Sequence, residues 1–333
     1  MTFKLGITRD VLDAKGEPSF GARALEVLKA NPALEWTYLP ESIREVTPDL
    51  AARYDGLYIN SPQATRASVA RSDCRVKIFA RHGVGYDSVD VPAMTERGIL
   101  VTNTPLAIRR PVAVASLTML FALTGRLFAK DRLTRAGNWT ERTNHMGVGL
   151  IGRTLGIVGA GGIGLELLRV AQPLGMRFIV ADPYVDDAVL GPLGATQVPL
   201  DQLMRESDFV VVSCLLNDET LHLIGAAQFA LMKPTAFFIN MARGPVADEL
   251  ALIDTLQAGR IAGAGLDVFE QEPVDPDNPL LKMDNVIVTP HALCWTDECF
   301  HDIASAGLQS IVDVSLGRRP VHLVNPEAWK VTA

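Results

Sequence analysis

The sequence predicts an α/β protein with two domains, each built on a parallel β-sheet, and three observations lead to this prediction. Strand and helix patterns alternate through the first hundred residues and again from about Thr154, as is typical of parallel sheets covered by helices. The 333 residues exceed the usual size of one domain. A last amphipathic helix pattern, at about 296–316, has no strand beside it, so we expect it to pack on the first region.

The strands and helices set the expected domain boundaries. The predicted strands of the first region are KLGI, GLYIN, VKIFA and GILVTN, and those of the second are TLGIV, RFIVA, DFVVVSC, AFFIN, IAGAGLDVF and NVIVTP. Between the regions, one long helix is predicted from Val112 to about Gly137, and its apolar first half should be buried. We therefore expect one discontinuous domain of residues 1–103 and 297–333 and a second domain of residues 104–296.

Composition limits the classes of function. Hydrophobic residues make up 48% and charged residues 21%, which is ordinary for a globular protein, and the net charge of -7 gives no reason to expect a nucleic-acid partner. The chain shows neither an apolar run that could span a bilayer nor a signal peptide, so we expect a cytoplasmic protein without a membrane partner. The four cysteines show neither a CxxC pair nor zinc-like spacing with histidine, so no metal is expected.

A glycine-rich loop follows the predicted strand at 155–158. The segment GAGGIG, from Gly159 to Gly164, fits the pattern G-x-G-x-x-G, in which the glycines allow a tight turn and the close approach of a pyrophosphate to the start of a helix. Asp182 ends the next strand, about 20 residues further on, where an acid binds the adenosine ribose and repels a 2′-phosphate. We therefore expect NAD(H) rather than NADP, with contacts from Gly159, Gly161, Gly162, Ile163, Gly164 and Asp182.

Three further polar side chains follow strands of the second region: Arg243, Asp267 and His291. Ligands of open parallel sheets bind beyond the carboxyl ends of the strands, so these groups should meet the nicotinamide end of a bound dinucleotide. Taken singly, Arg243 could be an ion-pair or helix-capping residue, and His291 could be structural. Their convergence beside a dinucleotide site favours a catalytic role.

The chain resembles the D-isomer-specific 2-hydroxyacid dehydrogenases over nearly its whole length. The matching segments are RHGVGYDSVDVPAMTERGILVTNTP, TLGIVGAGGIG, ALMKPTAFFINMARGPVADELALIDTLQAGRIAGAGLDVFEQEP and VIVTPHALCWTDE. The resemblance implies two Rossmann-like domains with doubly wound sheets, in which the discontinuous domain binds the substrate and the other binds NAD. It also implies a homodimer that uses the long helix.

The resemblance further implies reversible reduction of a 2-keto acid by NADH to a D-2-hydroxy acid. His291 would be the general acid/base, Glu272 would orient its ring, and Arg243 would bind the substrate carboxylate and keto oxygen. Glu270 is the competing acid, and we prefer Glu272 because it directly precedes the proline of the family pattern. The other implied contacts are Asp267, Cys214, Leu215, Ala242 and His291 for the cofactor and Asn60, Ser61, His82, Gly83, Val84, Gly85 and Arg243 for the substrate.

Departures from the family pattern bear on the substrate. Asn60 and Ser61 stand where relatives with phosphorylated substrates carry an arginine, which disfavours 3-phosphoglycerate. Formate dehydrogenases have glutamine in place of Glu272, which disfavours formate. Arg109 and Arg110 are hypothesised to meet a second acidic group of the substrate. A phosphite dehydrogenase and an NAD(H)-sensing, corepressor-like binding protein are the alternative functions.

Overall fold

The structure is a computed structural model that describes residues 2–329, and these contain twelve strands and eleven α-helices. The strands are β1 (Phe3–Ile7), β2 (Leu34–Tyr38), β3 (Gly56–Ile59), β4 (Ile78–Arg81), β5 (Leu100–Thr102), β6 (Thr154–Val158), β7 (Arg177–Ala181), β8 (Ala195–Gln197), β9 (Phe209–Val212), β10 (Phe237–Asn240), β11 (Gly263–Leu266) and β12 (Val286–Val288). The helices are α1 (Glu26–Lys29), α2 (Pro48–Arg53), α3 (Val91–Glu96), α4 (Arg109–Thr124), α5 (Leu127–Arg135), α6 (Gly162–Ala171), α7 (Asp187–Leu190), α8 (Leu200–Glu206), α9 (Ala226–Phe229), α10 (Glu249–Gln257) and α11 (Asp297–Ser315).

The chain divides into two compact units. Unit 1 contains residues up to 108 and from 295 onward, and unit 2 is Arg109–Cys294. The divisions lie within a few residues of the domain boundaries that the sequence predicts, while residues 1 and 330–333 of the predicted first domain lie outside the described residues. Helix α11 belongs to unit 1 and packs on α1 and β4 there. This is the packing expected for a late helix that has no strand of its own.

Unit 1 is a five-stranded parallel sheet in the order β2-β1-β3-β4-β5. Every residue of β3 is buried, as is usual for a central parallel strand covered on both faces. On one face Tyr58 packs with Leu308 of α11, and on the other Leu57 packs with Phe79 and Met94. The edge strand β2 was missed in the sequence, because its side chains alternate between buried and more exposed positions and include two polar ones.

Unit 2 is a seven-stranded parallel sheet in the order β12-β11-β10-β9-β6-β7-β8. The chain runs outward from β6 to β8 and then returns to β9 on the other side of β6, so the strand order reverses between β6 and β9. The strands end in register, because the paired residues at their carboxyl ends are Ala181 with Val158, Val158 with Val212, Val212 with Asn240, Asn240 with Leu266, and Leu266 with Val288. The loops that follow these strands therefore emerge along one edge, and a reversal of strand order is where ligands bind in open α/β sheets.

The prediction of one continuous helix from Val112 to about Gly137 is wrong. The segment forms α4 and α5, which meet at an angle of 55°, and Arg126 between them has a left-handed φ of 50°. The carbonyl of Thr124 accepts a hydrogen bond from Val148 N at 2.8 Å, so a segment distant in sequence satisfies the helix end. No single helix of residues 2–329 is long and apolar enough to cross a membrane, although α4 and α5 together meet that test by length and composition.

Candidate active site

The glycine loop lies at the strand-order reversal of unit 2, between β6 and α6. Gly159 has a φ of 91°, and a Cβ atom there would lie 2.5 Å from Cys214 N, so only glycine fits. A Cβ atom on Gly161 would meet none of the described residues within 4 Å, so the loop is open at this glycine. The first turn of α6 has backbone N–H groups without helical partners, which makes this a suitable place for a phosphate.

Asp182 lies directly after β7 and faces the glycine loop. Its carboxylate accepts hydrogen bonds from Ala160 N at 2.7 Å and from Tyr184 N at 2.9 Å. On the other side of β6, the Ser213 hydroxyl donates to Gly159 O at 2.6 Å, which joins the loop after β9 to the glycine loop. Burial raises the pKa of the adjacent Cys214 thiol to about 11, so this thiol is neutral at pH 7.

A histidine and a carboxylate pair at the other end of the same sheet edge. His291 Nδ1 lies 2.8 Å from Glu272 Oε2, and the second oxygen, Oε1, accepts from Phe269 N at 3.0 Å. The two side chains are 43% and 38% exposed, so the pair is open to solvent. The bond to Nδ1 orients the imidazole and leaves Nε2 as the ring nitrogen available to a ligand.

Asp267 shapes the loop that carries His291. Its buried carboxylate accepts hydrogen bonds from Thr289 Oγ1 at 2.6 Å, Ala292 N at 3.0 Å and Leu293 N at 3.1 Å. The turn that these bonds close holds His291 at a φ of 54°, a conformation that residues other than glycine adopt only when the surroundings impose it. This positioning role was not anticipated from the sequence, and the predicted contact of Asp267 with the cofactor stays a prediction.

Arg243 reaches the same region from the loop after β10. Asn240 holds that loop, since its side chain accepts from Ala242 N at 3.0 Å and donates to Arg243 O at 2.9 Å. A Cβ atom on Gly244 would lie 1.9 Å from the backbone carbon of Phe269, so glycine is needed where the Arg243 loop meets the Glu272 loop. The loops that carry Arg243 and Glu272 are therefore tightly packed, and the loop after β12 adds His291 beside them.

The charges of this cluster favour an ionised carboxylate. Burial opposes ionisation of Glu272, but the hydrogen bond and charge of His291, the N–H of Phe269 and the charge of Arg243 together lower its pKa below the ordinary value. Glu270, the competing acid, pairs instead with His222 at 2.8 Å and accepts a hydrogen bond from Glu249 N. The geometry thus places Glu272, rather than Glu270, at His291.

In unit 1 a loop follows β4 and contains Gly83, Val84 and Gly85. Its carbonyl groups are held from behind, because Thr104 N donates to Gly83 O at 3.0 Å and the Asn103 side chain donates to Val84 O at 2.8 Å. Within residues 2–329, the N–H groups of this loop have no hydrogen-bond acceptor. Three such donors in succession suit an anionic group such as a carboxylate.

His82 does not fit the substrate-binding role predicted for it. Its backbone N–H donates to Ile59 O at 2.7 Å, and the residue as a whole is 4% exposed. The ring packs on Phe300 and Tyr58, with Nδ1 2.5 Å from the Tyr58 hydroxyl. Burial, and then the charge of Arg81, lower the pKa of His82 to about 3, so His82 is a neutral core residue behind the loop.

Arg81 is a residue that the sequence analysis passed over. Its guanidinium donates to the Asn60 side chain at 3.1 Å and to the carbonyl of His82, so it lies against the predicted substrate segment. The N–H of Ser61 is engaged by Asp10 at 2.6 Å. Arg81 is the last residue of β4, at the carboxyl end of a parallel strand, and this position is the signal that could have identified it.

Fold and site together define an NAD-binding dehydrogenase of the 2-hydroxy acids. Residues 117–292 match the family model "D-isomer specific 2-hydroxyacid dehydrogenase, NAD binding domain". The chain belongs to this family. It is an NAD-dependent oxidoreductase that interconverts a small 2-oxo acid and the corresponding 2-hydroxy acid.

Named relatives cover most of the chain. A glyoxylate reductase of Korarchaeum cryptofilum is 42% identical over 268 residues, which are 80% of this chain and 81% of that protein. A D-3-phosphoglycerate dehydrogenase of Archaeoglobus fulgidus is 36% identical over 86% of this chain and 53% of its own length. Among solved structures, a glyoxylate reductase from Paecilomyes thermophila has a TM-score of 0.83 at 27% identity and covers 99% of this chain, all of that chain being matched. A D-lactate dehydrogenase from Aquifex aeolicus, complexed with NAD and lactic acid, has a TM-score of 0.83 at 25% identity, over 96% of this chain and 99% of that one.

Proposed function

We propose that the protein reduces a small, unphosphorylated 2-oxo acid to its D-2-hydroxy acid with NADH, glyoxylate being the first substrate to test. The observation that carries this proposal is the Glu272–His291 pair beside Arg243, on the same sheet edge as the glycine loop. The names of the relatives, among them several glyoxylate reductases, support the choice of substrate.

The residues of the cluster have distinct tasks. NADH, when bound, supplies the hydride. Protonated His291 donates the proton from Nε2 to the substrate oxygen, while Glu272 at Nδ1 keeps the ring oriented and balances its charge before the transfer. Arg243 presents a planar fork of donors that suits the carboxylate and the adjacent oxo oxygen, and its charge polarises the carbonyl.

Three features bear on the choice of cofactor and substrate class. The Asp182 carboxylate stands at the end of β7 beside the glycine loop, where its negative charge repels a 2′-phosphate and favours NADH over NADPH. Within unit 1, the N–H groups of residues 83–85 are suited to an anionic group, as a 2-oxo acid carries. Asn60 and Ser61 bring no cation of their own for a phosphate, although Arg81 lies against Asn60, so a phosphorylated oxo acid is a useful comparison substrate.

The test is a steady-state assay of NADH oxidation with glyoxylate, hydroxypyruvate, pyruvate, a dicarboxylic 2-oxo acid and 3-phosphohydroxypyruvate, repeated with NADPH. We expect turnover of the small acids with NADH, a chiral product of D configuration where the substrate allows one, and a loss of about 10²-fold in kcat/KM for Arg243→Lys, which keeps the charge but loses the fork. A folded protein that binds NADH but turns over none of these acids would contradict the proposal. Oxidation of phosphite would then identify a phosphite dehydrogenase. If neither the oxo acids nor phosphite reacted, the NAD(H)-sensing alternative would be favoured.

The homodimer, the cytoplasmic location and the lack of nucleic-acid or membrane partners stay predictions. Exposed apolar side chains on α4 and α5, such as Val114, Phe121 and Phe128, support the dimer. Light scattering tests the homodimer, because a single chain has a mass of 36.0 kDa and a dimer would have twice that mass.

A further inference from the structure

The first residue of α6 has no side chain, and an arginine from another helix fills the space. A Cβ atom built on Gly162 would lie 2.3 Å from Arg109 Nε and 3.0 Å from its Cδ and Cζ atoms. Gly162 has helical backbone and is not among the glycines with positive φ. The space that a side chain at position 162 would occupy is therefore taken by Arg109.

The neighbouring charges are paired, whereas that of Arg109 is not. Glu166 of α6 binds Arg110 at 2.6 Å and Arg169 at 3.1 Å. Arg109 Nε is buried without a hydrogen-bond partner, and within residues 2–329 the guanidinium forms no ion pair. A partly buried guanidinium that the protein does not satisfy suits an anionic ligand.

The position of Arg109 selects the ligand. Its guanidinium lies on the first turn of α6, where the helix N-terminus and the open backbone at Gly161 already favour a phosphate. We propose that Arg109 binds the pyrophosphate of NAD(H), as a cation supplied by α4 to a glycine loop that has no basic residue of its own. This inference rests on the proposed use of NADH, and it replaces the hypothesis that Arg109 meets a second acid of the substrate.

Binding of three ligands separates the pyrophosphate from the rest of the cofactor. Fluorescence titration would compare NADH, ADP-ribose and adenosine on the wild type and Arg109→Met, which keeps much of the side-chain length without the charge. We expect the Kd of NADH and of ADP-ribose to rise about tenfold and that of adenosine to stay the same, with a weaker dependence of the NADH Kd on salt. Arg110→Met is the matched control. It should change each Kd less than twofold, because Arg110 is 67% exposed and Glu166 keeps Arg169.

A relocated charge gives a second test. Gly162→Arg alone should weaken NADH binding, because the new Cβ collides with Arg109. Arg109→Ala combined with Gly162→Arg removes the collision and returns a cation to the same turn, so binding of NADH and ADP-ribose should recover to within about threefold of the wild type. Thermal melts would verify that each variant folds.

Three outcomes would overturn the inference. Unchanged NADH binding by Arg109→Met would mean that Arg109 only packs against Gly162 and does not bind the cofactor. An equal loss for adenosine would indicate that the loop itself had changed. A higher KM for the 2-oxo acid at unchanged NADH affinity would assign Arg109 to the substrate. By contrast, a wild type that binds none of the three ligands would refute NADH use itself, which is the failure of the proposed function.

Discussion

Two histidines follow parallel strands in this protein, one in each unit, and their surroundings differ. His82 follows β4, is 4% exposed, and contacts Tyr58 and Phe300. His291 follows β12, has a side chain that is 43% exposed, and bonds to the ionised Glu272. A position just beyond a strand therefore does not make a histidine catalytic. The partner on the ring and the access to solvent support the general acid/base role proposed for His291, and they set His82 apart as a core residue.

The contrast extends to the loops that carry the two residues. The backbone of His82 continues the hydrogen bonding of its sheet, since its N–H donates to Ile59 O. The backbone of His291 leaves the sheet at a φ of 54°, in a turn that the buried Asp267 closes. In unit 2 the hydrogen bonds of the buried Asp267 hold the His291 ring where solvent reaches it, whereas in unit 1 the His82 ring is itself part of the core.

The largest expected effect is on activity. His291→Gln should lower kcat about 10³-fold, because the proton donor is lost, and NADH titration shows how much of the loss comes from the predicted cofactor contact. His82→Gln should keep kcat within about threefold of the wild type, since its ring does not reach solvent, although it should unfold at lower urea concentration. Steady-state kinetics and NADH titration of both variants measure this. If His82→Gln lost as much kcat as His291→Gln while still folded, the distinction between the two residues would be wrong.

The next effect concerns the carboxylate partner. Glu272→Gln keeps the shape but removes the charge that balances protonated His291, so we expect kcat/KM for oxo-acid reduction to fall about tenfold at pH 7. This is the lower end for a charged hydrogen bond, because the pair is partly exposed. The pKa of Glu272 lies below its ordinary value, so the wild type keeps this charge throughout the range from pH 6 to pH 8. The deficit of the variant should therefore be about equal at pH 6 and at pH 8, because the wild type carries the Glu272 charge at both.

Glu270→Gln is the matched control for that experiment. Glu270 is a nearby acid that pairs with His222, so its kcat/KM should stay within about threefold of the wild type at each pH. A deficit of Glu272→Gln that disappeared at pH 6 or at pH 8 would contradict a role for the Glu272 charge. A larger loss in Glu270→Gln would assign the role to the other acid.

Features that depend on neighbouring residues in the sequence could be predicted from it, whereas features that depend on contacts with distant residues could not. The glycine loop, Arg243 and His291 stand at strand ends that local patterns reveal, whereas Glu272 was preferred over Glu270 through the family resemblance. The structure brings Arg243, Glu272 and His291 together. The burial of His82 depends on Phe300, far along the chain, which no local pattern connects to it. At the break between α4 and α5, the carbonyl of Thr124 is satisfied by the N–H of Val148, which lies beyond both helices in the sequence. The position of Arg109 against Gly162 depends on the packing of α4 on α6.

The last expected effect is on stability, and it tests His82 alone. The pKa of His82 is about 3 in the folded protein and 6.5 ordinarily, so between these values the unfolded chain binds a proton that the folded one does not. The stabilising effect of keeping His82 neutral is therefore complete above about pH 6.5 and declines as the pH falls toward 3. When the pH falls from 7 to 5, this decline should lower the free energy of unfolding by about 2 kcal/mol. Urea unfolding of the wild type and of His82→Gln at the two pH values isolates this contribution, because all other groups titrate in both proteins. The variant should lose about 2 kcal/mol less than the wild type over that interval, and an equal loss in the two proteins would show that His82 carries a proton in the fold.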